Sequence, residues 1–304
     1  MLDTHPDALA SRCASLPLEA EASVNAERDM MLPTRFWAEM TWTDFQSYPM
    51  HDVIAVLPVA ATEQHGPHLP LGVDTFLLEE YIARVATRLP DDLPVLFLPV
   101  QNCGLSVEHI DFPGTLSLPP DLLLRAWTEL GTCVYRAGCR KLVLANAHGG
   151  NVALLDMVAH ELRARLGLFV VMATMHRFGL PDGLFSDTEK RLGIHAGDIE
   201  TSQMLALRPD LVRREALADF PSASEALERD FTWLRTGRPT GFGWMSQDLS
   251  PSGAMGNAAA ATAEKGECCF DYAATAFIEL LQDVAAFDLA RLGEPPDADT
   301  LPLP

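Results

Sequence analysis

Runs of apolar residues of strand length alternate with stretches of helical period along most of the chain. Val53-Ile54-Ala55-Val56-Leu57-Pro58-Val59 is an unbroken apolar run, the pattern of a strand covered on both faces. Val95 to Val100, Lys141 to Asn146 and Leu168 to Met175 read as three more strands. Helical spacing fills the intervals. Phe76, Leu77, Tyr81, Ile82 and Val85 make one apolar face of a helix that starts at Asp74-Thr75 and runs to about Arg88. Pro119-Pro120 open a second helix that runs to about Ala137, and a third opens at about Asn151. A further helix ends near Leu207, before Arg208-Pro209, and Ala258 to about Leu289 forms one or two amphipathic, Ala-rich helices. Upstream, Trp37, Met40, Trp42 and Phe45 recur at helical spacing and predict a packed helix. Strand and helix in alternation predict an α/β fold with a mostly parallel sheet.

The 304 residues, 48% of them hydrophobic, are enough for one large domain, which we place at residues 31–290. Residues 1–30 have weak periodicity and read as a poorly ordered extension, and residues 291–304, rich in Pro and Asp, as a frayed tail. Residues 211–240 are mixed and charged, the pattern of a surface helix and loop. The Gly-rich segment 241–257 carries Trp244 and reads either as a lid over a cleft or as an ordinary loop anchored by that ring.

Candidate chemistry gathers where strands end, the edge at which open α/β sheets bind ligands. After the first strand comes Thr62-Glu63-Gln64-His65-Gly66-Pro67-His68-Leu69-Pro70, then Asp74. Glu63 and His65, two apart, share one side of an extended backbone, while Gly66, Pro67 and Pro70 turn the chain and can bring Asp74 back towards them. Asp74 must then choose between capping its helix and binding a cation. The third strand delivers His148-Gly149-Gly150-Asn151, where the glycines let backbone pass close to an ion or substrate and the helix opening aims N–H groups at it. The loop after the second strand carries Glu108, His109 and Phe112-Pro113-Gly114-Thr115. Farther on, His195 and Glu200 are five apart. That spacing puts His195 in a loop and Glu200 in the first turn of the next helix, where a carboxylate gains from the helix dipole. Each piece also has a plainer reading: a solvated polar loop, a hydrogen-bonded loop histidine, a tight turn, a capping Asp198 beside a solvated Glu200. Carboxylate with imidazole suits zinc, manganese or iron better than calcium or magnesium.

The motif Glu63-x-His65 with Asp74 nine residues on, followed in order by Phe-Pro-Gly-Thr, His148-Gly-Gly-Asn and His195 with Glu200, resembles the creatininase family of metal-dependent amidohydrolases over roughly residues 35–270. The resemblance implies a three-layer α/β/α sandwich and a centre of two divalent metal ions, zinc or manganese with iron also accommodated. It implies Glu63, Asp74 and His148 on one ion, and His65, Asp74 and Glu200 on the other. It further implies that His195 is the catalytic acid for the leaving nitrogen, and that Glu108, His109, Thr115, Gly149, Gly150, Asn151 and Trp244 lie about the substrate. Where creatininase proper has a metal-binding Glu two residues after the His, this chain has Gly150, so Glu200 is the expected replacement. The Gly-Gly-Asn version is similar to the family's other branches, among them formamide deformylases and the peptidase of mycofactocin maturation. The activity implied is hydrolysis of a non-peptide C–N bond in a small-molecule amide, with trimming of a short modified peptide, phosphohydrolase chemistry and non-catalytic metal binding as alternatives. The family's hexameric rings imply a homo-oligomer.

The formal net charge of −20 and isoelectric point near 4.7 argue against nucleic acid or an anionic membrane as partner. Six cysteines without CxxC spacing argue against a zinc knuckle or a disulfide scaffold. Met1 to Arg28 lacks the basic and apolar regions of a signal peptide. A cytoplasmic location is therefore expected.

Overall fold

Every side chain of Ile54–Val59 is buried, because this strand, β1, lies inside a parallel sheet with helices on both faces. The computed structural model describes residues 31–295, so the expectations for residues 1–30 and for the end of the tail lie outside the described residues. In chain order the elements are α1 (Trp42–Ser47), β1, α2 (Val73–Arg88), β2 (Val95–Phe97), α3 (Pro120–Arg136), β3 (Lys141–Asn146), α4 (Val152–Leu166), β4 (Phe169–Thr174), α5 (Asp187–Leu192), α6 (Asp198–Leu207), β5 (Asp219–Phe220), α7 (Ser224–Asp230), α8 (Ser246–Leu249), β6 (Gly256–Asn257) and α9 (Ala263–Ala286).

The four main strands pair in parallel in the order β2-β1-β3-β4, with Ile54 opposite both Val95 and Lys141. Successive strand residues point to opposite faces, and the core divides accordingly. Ile54, Val56, Val143 and Ala145 meet Leu78, Ile82, Val85, Met204, Phe270 and Phe277 from α2, α6 and α9. Ala55, Leu57, Leu142 and Leu144 meet Leu123, Trp127, Leu155, Val158 and Leu162 from α3 and α4. Three layers result, α/β/α as expected. The strand order also fixes where a ligand can enter: β1 feeds β2 on one side, then the chain crosses to β3 on the other, opening a crevice between the carboxyl ends of β1 and β3.

Several elements differ from their sequence patterns. The helix expected around residues 36–45 is a 3₁₀ turn (Trp37–Glu39) followed by the short α1, and Trp42 is 71% exposed; Thr41 and Asp44 form a capping box that restarts the chain there. β2 stops at Phe97, although Gln101 still bridges Val59. A helix not foreseen, α5, occupies the Gly/Pro-rich stretch before His195, capped by Ser186 accepting from the Glu189 N–H. Part of the segment read as a lid or an ordinary loop is packed into the fold: Ser246, Leu249, Ala254 and Met255 are buried, and β6 pairs with β5. No helix among the described residues is long and apolar enough to cross a membrane, and the five described cysteines are unpaired.

Candidate metal centre

The loop leaving β1 is folded back on itself. The Glu63 N–H donates to the Leu71 carbonyl at 2.9 Å and the Thr75 hydroxyl to the Ala61 carbonyl at 3.0 Å. This closes the turn that Gly66, Pro67 and Pro70 begin and sets the first turn of α2 beside Glu63. Asp74, in that first turn, caps nothing: the cap position is Gly72, with no side-chain bond. The Asp74 carboxylate points instead into the crevice. Glu63, His65, Asp74 and His148 are each 4% exposed or less.

Asp74 lies between two imidazoles. Its Oδ1 is 3.5 Å from His65 Nε2, and its Oδ2 is 3.3 Å from His148 Nδ1. Glu63 Oε1 also faces His148 Nδ1, at 3.2 Å, and Glu200 Oε2 faces His65 Nε2 at 3.9 Å. The far side of each ring is held by backbone: His65 Nδ1–H donates to the Glu63 carbonyl at 3.0 Å and His148 Nε2–H to the Leu105 carbonyl at 2.8 Å. With these protons assigned by the network, His65 Nε2 and His148 Nδ1 are the ring atoms left facing the carboxylates, and the backbone bonds on the far side are the outer support that metal-bound histidines have.

Burial opposes a charge on His65, yet the Asp74 carboxylate close by, with Glu200 and Glu63, lifts it to about 9. His148 is likewise raised well above its ordinary value against burial, by Glu63 and Asp74. Burial pushes the Asp74 and Glu63 carboxyls up, and the facing histidines outweigh it, holding both below the usual carboxylate range. Glu63 Oε2, His65 Nε2 and Asp74 Oδ2 are buried with no hydrogen-bond partner, a costly state that a cation would relieve. One ligand atom each from Glu63, His65 and Asp74 lies within 4.8 Å of the others, as do those of His65, His195 and Glu200. The donor set therefore fits divalent cations that take nitrogen and oxygen together.

His195 sits against this cluster, its ring centroid 4.2 Å from that of His65. Its Nε2–H donates to the Gln64 carbonyl at 2.6 Å, leaving Nδ1 facing Glu63 Oε1 at 3.9 Å. Burial, then the neighbouring His65, keeps the ring neutral by lowering its pKa. His109 is neutral too, lowered to about 3 chiefly by burial. The Gln64 amide is fixed by accepting from the Gly66 N–H (2.9 Å) and donating to the Gly253 carbonyl (3.0 Å), so its NH₂ donates to His109 Nδ1 at 2.8 Å. His109 Nε2–H is thereby left to face Glu63 Oε1 at 3.3 Å. Gln64 and Ser246, whose hydroxyl is 2.6 Å from His109 Nδ1, were not singled out from the sequence. Gln64 stands inside the first motif, but its partners are 45 and 189 residues away, beyond any local pattern.

A cavity of about 430 Å³ opens over the cluster, lined by Glu108, His109, Gly149 and Trp244 among others. Burial raises the Glu108 carboxyl. Tyr81, His176, Lys190, Gln203 and Cys269 also line it, and none was picked from the sequence. Two expected substrate contacts are elsewhere. Thr115 spends its hydroxyl accepting the Gln64 N–H at 3.1 Å, and Asn151 is fully buried, accepting the Leu105 N–H (2.9 Å) and donating to the Ala60 carbonyl (3.1 Å). Both shape the wall from behind. Gly150 is required by close approach: a Cβ there would meet the Leu105 carbonyl, His148 Nε2 and Glu108 Oε1, each at under 3.0 Å.

Comparison with known proteins agrees with this geometry. The family model for creatininase, creatinine amidohydrolase, matches residues 38–281, most of the chain. A mycofactocin precursor peptide peptidase from Mycobacterium tuberculosis is 38% identical over 168 residues, covering 53% of this chain and 61% of that protein. The chain thus spans under two thirds of the length of that relative. Creatinine amidohydrolase from Pseudomonas putida is 32% identical over 211 residues, 62% of this chain and 78% of that protein. Among solved structures, one described as Creatininase Mn superposes with a TM-score of 0.67 at 27% identity, covering 83% of this chain and 99% of the other. A variant creatininase of Zn-Zn type gives 0.67 at 28% identity with the same coverage. By the span of the family match and the shared fold, the chain belongs to the creatininase family.

Proposed function

We propose that the protein is a metal-dependent hydrolase of a non-peptide C–N bond in a small-molecule amide, such as a cyclic amide, lactam or formamide. The observation that carries this reading is the set of buried, unpartnered Glu63, His65 and Asp74 atoms facing one another beside His148. Glu63, Asp74 and His148 would hold one divalent cation, and His65, Asp74 and Glu200 a second, with Asp74 shared. The relatives of Mn and Zn-Zn type favour manganese or zinc, and iron suits the same donors. When bound, the cation pair supplies Lewis acidity, polarising the carbonyl and lowering the pKa of water.

The chain's own residues do the rest. His195, neutral and with Nδ1 free, accepts the proton of the attacking water and hands it to the departing nitrogen, which leaves poorly unless protonated. The Gln64 carbonyl keeps that ring in the tautomer the transfer needs. His109 Nε2–H steadies Glu63, while Glu108 and Trp244 bound the space in which the amide is oriented. A phosphohydrolase is disfavoured because no arginine among the described residues lines the cavity.

A second reading keeps the cations and changes the substrate to a short modified peptide. The 38% identity to a peptide peptidase, together with Gly150 in place of a carboxylate, favours it. Assays comparing release of a terminal dipeptide with opening of a lactam or formamide separate the two. The test of the shared chemistry is His195→Ala: bound metal is retained, turnover falls by about 10²- to 10⁴-fold, and full activity would remove His195 from the reaction. The reading also places the protein in the cytoplasm as a homo-oligomer, with a hexamer expected in sedimentation.

A further inference from the structure

We propose that Glu189 is the residue that positions His195 and Glu200, acting through backbone from a place outside the cavity. Glu189 stands in the first turn of α5 and is 4% exposed. Its Oε1 accepts the Asp198 N–H at 2.7 Å and its Oε2 accepts the Asn257 N–H at 2.9 Å. Among the described residues no lysine or arginine forms an ion pair with it. The side chain of Asp198 is occupied elsewhere, with Lys265 at 2.6 Å and the Ser202 hydroxyl at 3.0 Å, so Glu189 meets only backbone. A buried carboxylate persists without a cation when N–H groups take its charge. One of these groups opens α6, whose N-terminal dipole favours an anion.

Room for this carboxylate is cleared on three sides. A Cβ built on Gly193, Gly197 or Gly256 would lie under 3.0 Å from Glu189 Oε1. Two separate stretches of chain, 193–197 and the one at Gly256, thus carry no side chain where they meet one oxygen atom.

The two segments joined by Glu189 are those that aim the site. His195 and Met255 pair as an isolated antiparallel bridge, the Met255 N–H donating to the His195 carbonyl at 2.8 Å. Past that bridge, the Glu189 carboxylate ties Asp198 to Asn257 in place of a further rung. Between the two ties lies Ala196 at φ 55, a left-handed conformation uncommon outside glycine. Its N–H donates to Glu200 Oε2 at 2.5 Å and its carbonyl accepts from His68 Nε2–H at 3.0 Å. A backbone in that state keeps its shape only while both ends are fixed, and Glu189 fixes the end that leads into Glu200.

The inference rests on the proposed roles of His195 and Glu200, and the experiment keeps the two apart. Glu189→Gln preserves shape but turns an NH₂ towards a backbone donor. In the full chain loaded with Zn²⁺, kcat falls about 10- to 100-fold with KM within about twofold of wild type. In the chelator-treated chain, calorimetric Zn²⁺ titration shows the weaker equivalent losing about tenfold in affinity and the tighter one unchanged. A purely structural role would lower the melting temperature and leave that split untouched. Gly193→Ala, which presses a Cβ against the same carboxylate without removing it, shows the same selective loss and decides the matter if Glu189→Gln does not fold. Wild-type kcat and both wild-type Zn²⁺ equivalents in a folded variant overturn the role of Glu189. A wild-type chain that binds no cation and hydrolyses no amide instead overturns the reading beneath it.

Discussion

The inner wall of the cavity takes Glu63 and His148 from the ends of β1 and β3 and Asp74 from the first turn of α2, all welded to the sheet. The outer wall takes His195 and Glu200 from a loop and the start of α6, tied to α5 and β6 through side chains and one isolated bridge. Asp74 is buried, whereas the Glu200 side chain is 27% exposed. Position on the inner wall is thus a by-product of sheet packing, which hydrophobic burial stabilises whatever the loop contains. On the outer wall, position is made by particular polar contacts, and each can be lost singly. The inner wall therefore holds its ligating groups through the packing of the sheet, and on the outer wall Glu200 and His195 keep their aim only through those polar contacts.

The contrast is broken most severely at Asp74, whose two oxygens face His65 and His148. Asp74→Asn should remove bound metal and reduce turnover to background, beyond about 10⁴-fold, measured by metal analysis and steady-state assay. A variant that keeps metal and activity would show that the inner wall is not the holding half.

Metal removal sharpens the same point through pH. In the chelated protein His65 is raised from 6.5 to about 9 by Asp74 and Glu200 against its burial. A group raised in the folded state stabilises fully below its unfolded value and ceases to do so as pH climbs through its folded one. The melting temperature of the metal-free chain should therefore fall by several degrees between pH 6.5 and about 9, while the loaded chain shows no such fall. A flat profile for the metal-free chain would contradict the charge arrangement described for the cluster.

A smaller effect is expected behind the wall. Asn151→Ala strands the Leu105 N–H and the Ala60 carbonyl, costing about 1–3 kcal/mol of stability in denaturant unfolding. Turnover well below the melting temperature should change little, since Asn151 does not line the cavity.

The two walls also differ in how far they can be read from sequence. β1 and β3 are covered on both faces, so they appear as apolar runs, and the residues just beyond them fall at the ligand edge by a general rule of parallel sheets. Glu63, His65, Asp74 and His148 could be placed together on that ground. His195 and Glu200 could be assigned to loop and first turn from their spacing. What holds them could not: α5 has the polar sequence Asp187-Thr188-Glu189-Lys190-Arg191-Leu192, with no stripe to mark it. Its one buried carboxylate meets partners 9 and 68 residues away. Thr115 and Asn151 mislead in the opposite way. Their polar groups sit in motifs expected to bear on substrate, yet Thr115 accepts the Gln64 N–H, and Asn151 is held by the Leu105 N–H, the Ala60 carbonyl and Asn146.

The closeness of Gly150 to Glu108, His148 and the Leu105 carbonyl has a meaning for how such proteins diverge. A lineage with glycine here cannot acquire an acidic group at this position through one codon change, since the newcomer would collide before it could serve. Glu108 and its loop would have to give way at the same time. Addition of a carboxylate at position 150 is thus a paired step in this chain, set by the sterics of the 105–108 loop.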